Sequence, residues 1–302
     1  MPYDVPSQSG RRIIVTGANS GTGKETATRL AAAGASLILG VRNLEKGEAA
    51  KQDILRQSPG AEIEVRRIDL SDLASIREFA NGILDDGKPL HVLINNAGVM
   101  TPPTRETTKD GFELQFGSNF LGPFLLTTLL LPRLLEADNP RIATMSSSAA
   151  NIGSINHDDL QAEQNYQPVA AYNQSKLADM LLTTHLAEIA ERKGWPLLST
   201  GAHPGFTRTN LQTSGPNMGT ERSRQAWFLN IVPSMEVSQG AEPILRAATD
   251  STAKQGAYYG PRWFLIGEAR PARIPRSARK ADAQLLWDAA AELTGAPDIS
   301  KL

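Results

Sequence analysis

Short runs of β-branched residues and leucine alternate along this chain with longer stretches whose apolar positions recur every three to four residues. Arg12–Val15 predicts a buried strand, and Gly21–Ala33 the helix after it. Ser36–Gly40 predicts a second strand, followed by a helix over Leu44–Gln57 that Ser58, Pro59 and Gly60 close. Ile63–Ile68 predicts a third strand. Ser71 is the expected N-cap of the next helix, because its hydroxyl can accept from first-turn amides. Val92–Ile94 and Arg141–Met145 predict a fourth and a fifth strand on either side of a long helix over Gly111–Leu135. A helix over Ala171–Lys193, a strand over Leu197–Gly201 and a last strand over Gly256–Tyr259 complete the pattern.

Strands that are apolar almost throughout, separated by helices, belong to a parallel sheet covered on both faces. The expected fold class is therefore α/β, a single Rossmann-type domain with a doubly wound parallel sheet. No break in composition interrupts the alternation before Pro204, so residues 1–302 read as one domain despite a length that allows two. Residues 1–10 read as a flexible N-terminus without the basic stretch and apolar core of a signal peptide. Residues 210–237 are rich in Gly, Ser and Thr around Trp227, Phe228 and Leu229, and read as a substrate lid. Trp263 and Phe264 are candidates to complete the same apolar pocket. The basic run from Arg262 to Lys280, interrupted by Pro271 and Pro275, reads as a solvated loop.

Composition narrows the chemistry. Lys and Arg total 31 against 32 Asp and Glu, so no global field draws in nucleic acid or an anionic membrane. The absence of cysteine excludes disulfides, thiolate metal sites and a cysteine nucleophile, and suits a reducing compartment. His91, His157, His185 and His203 lie far apart without metal-binding spacing, so no metal is expected. No GxSxG elbow is present. The most apolar stretch, Leu125–Leu135, contains Thr127, Thr128, Pro132 and Arg133 and is shorter than a bilayer span. A cytoplasmic protein with no membrane span is the expectation.

The first predicted strand runs into Thr16-Gly17-Ala18-Asn19-Ser20-Gly21-Thr22-Gly23-Lys24. Glycines at this spacing, after a strand and before a helix, let a pyrophosphate approach helix-terminal amides. The rival phosphate loop, GxxxxGK[ST], fails because Ala18 stands at its first position and Glu25 follows Lys24. A site that prefers NAD commonly carries a carboxylate at the tip of the second strand. Here the tip reads Val41-Arg42-Asn43, and Arg42 favours the 2′-phosphate of NADP(H), with NAD(H) as the alternative.

Tyr172 and Lys176 lie four residues apart and share a helix face. Ionising a phenol near neutrality requires roughly 3–4 kcal/mol. One ammonium at about 4 Å supplies that order of energy at an effective dielectric of about 20. Such a pair can donate or abstract a proton. Tyr166, Tyr258 and Tyr259 lack this partner.

The glycine turn, Asn95-Asn96-Ala97-Gly98, Ser146-Ser147 and Tyr172-Asn173-Gln174-Ser175-Lys176 stand in the order and spacing of the short-chain dehydrogenase/reductase family, which this chain resembles. The turn, Val41-Arg42 and His203-Pro204-Gly205 are most similar to its retinol dehydrogenase-like and WW-domain oxidoreductase-like branch. The resemblance implies hydride transfer between NADP(H) and a carbonyl or alcohol, an apolar one given the aromatic residues. It implies Tyr172 as general acid or base and Lys176 on the nicotinamide ribose. Ser147 would bond the substrate oxygen, and Asn119 would support a proton relay to the lysine. For the cofactor it implies Gly17, Asn19, Ser20, Gly21, Thr22 and Gly23 at the pyrophosphate, with Arg42, Asp69 and Leu70 around the adenosine. Asn95, Ala97 and Gly98 would pack beneath the ribose and stabilise the central strands, and Pro204, Gly205, Thr207 and Thr209 would reach the nicotinamide carboxamide and the pyrophosphate. Thr22 and Thr144 depart from common choices without removing a catalytic group. The helices over 111–135 and 171–193 match those that pair subunits in the family, implying a homodimer or homotetramer. A non-catalytic NAD(P)-binding regulator of the same fold would need none of the four catalytic candidates. A lyase or epimerase using the cofactor transiently fits the glycine spacing less well.

Overall fold

Ile13 and Val15 of β1 (Arg12–Thr16) enter one apolar cluster and Ile14 enters another, and none of the three is exposed. That alternation, repeated by Leu37, Ile38 and Leu39 and by Val92, Leu93 and Ile94, defines a sheet buried on both faces. The computed structural model describes residues 2–207, 234–279 and 281–302. Within them lie β2 (Ser36–Val41), β3 (Ile63–Arg67), β4 (Val92–Asn95), β5 (Arg141–Met145), β6 (Leu198–Ala202), β7 (Tyr258–Pro261) and β8 (Ala269–Pro271). Their order is β3-β2-β1-β4-β5-β6-β7-β8. All neighbours run parallel except β8, which returns antiparallel along β7.

Helices cover both sides. Helices α1 (Gly21–Ala32) and α2 (Leu44–Gln57) pack on one face through Leu30 and Ile54. On the other lie α3 (Leu73–Asp85), α4 (Gly122–Leu135) and α5 (Pro168–Lys193), through Ile76, Leu130 and Leu186. Helix α6 (Glu242–Thr249) joins the first face through Ile244 and Leu245. A last helix, α7 (Ala283–Thr294), lies on α4 and α5. Its Trp287 ring meets Phe124 edge-on at 4.8 Å and His185 at 5.3 Å. It thus occupies part of the helical face that the family resemblance assigned to subunit pairing.

Local details depart from the sequence reading. The N-cap of α3 is Asp72, whose carboxylate accepts from the Ala74 and Ser75 amides. Ser71 instead donates to Asp69. A carboxylate at the cap also favours the positive end of the helix dipole. The long helix does not begin at Gly111, which turns with φ +88°. Buried Glu113 accepts from the Gln115 and Phe116 amides and starts the helix there. Its first turns, Phe116–Leu121, are a π-helix that leads into α4. The combined stretch Phe116–Leu135 has 20 residues, apolar and long enough to cross a membrane by length and composition, and 78% of its most apolar window is buried in the fold. The run after Arg262 is not wholly a loop, since β8 forms inside it.

Candidate functional site

In an open α/β sheet, ligands bind beyond the carboxyl ends of the strands where the strand order reverses. Here that switch point falls between β1, which leads toward β2 and β3, and β4, which leads toward β5. Thr16-Gly17 leaves one strand there and Asn95–Gly98 the other. Thr16 and Asn96 lace the two together. The Thr16 hydroxyl accepts from the Asn96 and Ala97 amides at 3.0 and 3.1 Å, and the Asn96 side chain donates to the Thr16 carbonyl at 2.9 Å. The Thr22 hydroxyl donates to Asn96 Oδ1 at 3.1 Å, fixing the start of α1 to the end of β4.

The glycine turn fits a dinucleotide. Gly17 has φ +67°, and a Cβ there would lie 3.0 Å from Ala97 Cα. A Cβ on Gly23 would strike both the Asn96 side chain and the Gly17 carbonyl. Helix α1 opens at Gly21 behind Ser20, whose hydroxyl makes no cap bond, so that side chain does not fill the amino end of the helix. Asn19 is half-buried in the same turn.

The other cofactor candidates have distinct structural duties. Arg42 stands exposed at the tip of β2 and makes no ion pair among the described residues. Asp69 spends its carboxylate on the Ser71 amide and hydroxyl, and Leu70 packs against Gly122. Asn95 is buried and donates to Thr127 of α4 at 3.0 Å, a bond that braces the central strands. Ala97 packs on Gly17, and a Cβ on Gly98 would lie 3.6 Å from Lys176 Nζ. Beyond β6, Gly205 turns with φ +63° and Thr207 donates to the Pro204 carbonyl at 2.7 Å. Thr209 lies outside the described residues, as do 210–233 of the expected lid with Trp227, Phe228 and Leu229.

The acid–base candidates converge at the same end of the sheet. Helix α5 carries Tyr172, half-buried, and Lys176, buried, on one face. Lys176 Nζ donates to the Met145 carbonyl at 3.1 Å and to Asp179 Oδ2 at 2.8 Å. Burial opposes the lysine's charge, but Asp179 and the Tyr172 phenolate outweigh it and hold Lys176 above the ordinary lysine range. The serine pair separates into two roles. Ser146 is buried and donates to the Lys176 carbonyl at 2.7 Å, tying β5 to α5. Ser147 is half-buried and accepts from the Ala149 amide at 3.2 Å, which leaves its hydroxyl proton free to donate. Asn119 sits in the π-helix with its amide group spent on Val99 and Ser175. The widened turn thereby places Asn119 and Gly98 beside the lysine.

Trp263 and Phe264 are both largely exposed, with the Phe264 ring 5.7 Å from that of His203. Burial pushes His203 down to about 4, so it is neutral at physiological pH. A separate open groove of about 990 Å³ lies at the amino ends of the strands, away from these groups.

Three residues in this constellation escaped the sequence reading. Asn96 lies inside a motif whose neighbours were selected, yet it carries the bonds that join turn to sheet. Ser175 bonds Asn119, and Asp179 bonds Lys176. The one available signal was spacing, since Asp179 stands three residues after Lys176 on a helix.

A family model described as short chain dehydrogenase matches residues 11–218. Retinol dehydrogenase 12 of Mus musculus is 39% identical over 290 residues, which is 95% of this chain and 87% of that protein. Retinol dehydrogenase 11 of Homo sapiens is 39% identical over 289 residues, again 95% and 87%. A crystal structure of an uncharacterized protein from Mycobacterium paratuberculosis superposes with a TM-score of 0.81 at 38% identity, covering 98% of each chain. The fold of this family binds NAD(P), and its members are oxidoreductases acting on alcohol and carbonyl groups. The chain belongs to the short-chain dehydrogenase/reductase family, in its retinol dehydrogenase-like branch.

Proposed function

We propose that this protein transfers hydride between NADP(H) and an apolar carbonyl or alcohol, with Tyr172 as general acid and base. The supporting observation is the placement of Lys176 Nζ under Gly98 at the switch-point crevice, one helical turn from Tyr172. Gly17, Gly21 and Gly23 would hold the pyrophosphate at the amino end of α1, and Arg42 would receive the 2′-phosphate. A nicotinamide bound there supplies or accepts the hydride.

The side chains do the rest. In carbonyl reduction Tyr172 gives its hydroxyl proton to the substrate oxygen, and Lys176 stabilises the phenolate left behind. Ser147 donates to the same oxygen, where negative charge grows as the hydride arrives. Asn119 keeps the backbone beside Lys176 in place through Val99 and Ser175. In alcohol oxidation each proton movement reverses. The retinol dehydrogenase relatives and the exposed Trp263 and Phe264 support an apolar substrate. The test is a spectrophotometric screen with NADPH and NADH in parallel against retinal and a series of aliphatic and aromatic ketones. Turnover that prefers NADPH and rises with substrate apolarity is expected. No turnover across the panel would overturn the reading.

A further inference from the structure

Asp179 is 1% exposed in side-chain terms and packs against the lysine of the proposed reaction. Its Oδ2 accepts from Lys176 Nζ, while its Oδ1 has no hydrogen-bond partner. A buried carboxylate with one oxygen unpartnered is a poor stabilising device, because its desolvation is only half compensated. Asparagine would keep the bond to Nζ without the charge. The charge therefore calls for a reason at the site itself.

Lys176 has three ammonium donors, of which Asp179 and the Met145 carbonyl take two. One remains for the crevice. The same carboxylate keeps the buried ammonium protonated, since burial alone works to strip its charge. We propose that Asp179 is a positioning residue that aims Lys176 and holds its charge, and thereby lets the lysine support Tyr172 as a base. This proposal rests on the dehydrogenase reading above.

The surroundings isolate the pair. From its own helix Asp179 is faced by Lys176 and, two turns back, by Tyr172. Tyr258 of β7 faces it too, and burial holds that hydroxyl well above the usual tyrosine range, with Ser146 pulling it down and the negative charges of Asp179 and Tyr172 adding to burial. Behind Tyr258, at 5.4 Å ring to ring, His203 is held neutral by burial. From β5 come the Met145 carbonyl and Ser146, and from the π-helix the neutral Asn119. Burial pushes Asp179 itself up to about 7 against the pull of Lys176, the one charged group among the described residues that bears on it.

At an effective dielectric of about 20, an ammonium at about 4 Å moves a phenol's titration by about three pH units, so even partial loss of the lysine's charge is readable. Asp179→Asn leaves the buried lysine without its counter-ion and is therefore expected to move the acid limb of alcohol oxidation with NADP+ at least about one unit higher, roughly a tenfold rate loss on that limb. Asp179→Ser, which is smaller, should shift it the same way, so one folded variant suffices. Retinol serves as the first probe substrate. A second readout needs no substrate: the ultraviolet absorbance of the phenolate is titrated in each variant with and without Tyr172→Phe. The Tyr172-dependent part should appear at higher pH than in the parent. Loss of stability with both titrations unmoved, or a shift to lower pH, would overturn the role of Asp179. If retinol and the ketone panel give no turnover but the phenolate titration shifts, the dehydrogenase reading fails while the electrostatic effect stands.

Discussion

Removing the side chain of Asn96 is the sharpest probe of how the cofactor crevice is built. Asn96→Ala deletes the donor to the Thr16 carbonyl and the acceptor for the Thr22 hydroxyl. At about 0.5–1.5 kcal/mol for each bond, the expected loss of stability is about 1–3 kcal/mol. For a chain of 302 residues that lowers Tm by about 2–6 °C, taking about 2 °C for each kcal/mol. The same bonds hold the glycine turn against β4, so part of the loss must reappear as ordering cost when the cofactor binds. A share of about 1.4 kcal/mol raises KM for NADPH about tenfold. The kcat should change little, because among the described residues Asn96 hydrogen-bonds Thr16 and Thr22 and none of the four acid–base candidates. Thr22→Val deletes one of the two bonds alone, and a double-mutant cycle should return a coupling of about 0.5–1.5 kcal/mol. Thermal denaturation and steady-state kinetics with varied NADPH measure these quantities. A lower Tm with unchanged KM, or a fall in kcat at constant KM, would refute the claim that Asn96 preorganises the turn.

Other expectations follow from the same geometry. Gly23→Ala forces a methyl onto the Gly17 carbonyl and the Asn96 side chain, so it should cost about 1–3 kcal/mol in denaturant unfolding and abolish retention on an NADP affinity matrix. Arg42→Asp replaces attraction by repulsion at the β2 tip and should lower the NADPH to NADH ratio of kcat/KM by at least about tenfold; an unchanged ratio would remove Arg42 from cofactor choice. His203 contributes to acid sensitivity, because burial lowers it from 6.5 to about 4 and the folded state takes up its proton later than the unfolded one. Its stability contribution is therefore intact above pH 6.5 and lost progressively toward pH 4, by about 3 kcal/mol at most. His203→Gln should flatten that part of the curve of Tm against pH, read as a difference from the parent.

The sheet and the glycine turn were legible in the sequence because both are local patterns. Apolar runs such as Ile13–Val15 and the turn at Gly17–Gly23 announce themselves within a few residues. The cap of α3 was not, because Ser71 and Asp72 are both good caps and the choice depends on Ser71 being drawn to Asp69. The start of the long helix depends on buried Glu113, whose apolar neighbours mask it in a periodicity reading. The duties of Asn96 and Asp179 depend on partners in other elements or on burial, neither of which a spacing rule reports. Ser146 and Ser147 look alike in sequence and separate only because β5 ends between a buried position and the crevice edge.

The central claim is that the Tyr172 hydroxyl moves the proton that accompanies hydride transfer. Its most direct test is single-turnover oxidation of NADPH with a turned-over ketone, in the parent and in Tyr172→Phe, with NADPH affinity measured alongside by fluorescence. The variant should bind NADPH as tightly as the parent and lose at least about a hundredfold in the hydride step, the order that general acid catalysis supplies. A Tyr172→Phe variant that oxidises NADPH at the parent's rate would contradict the claim.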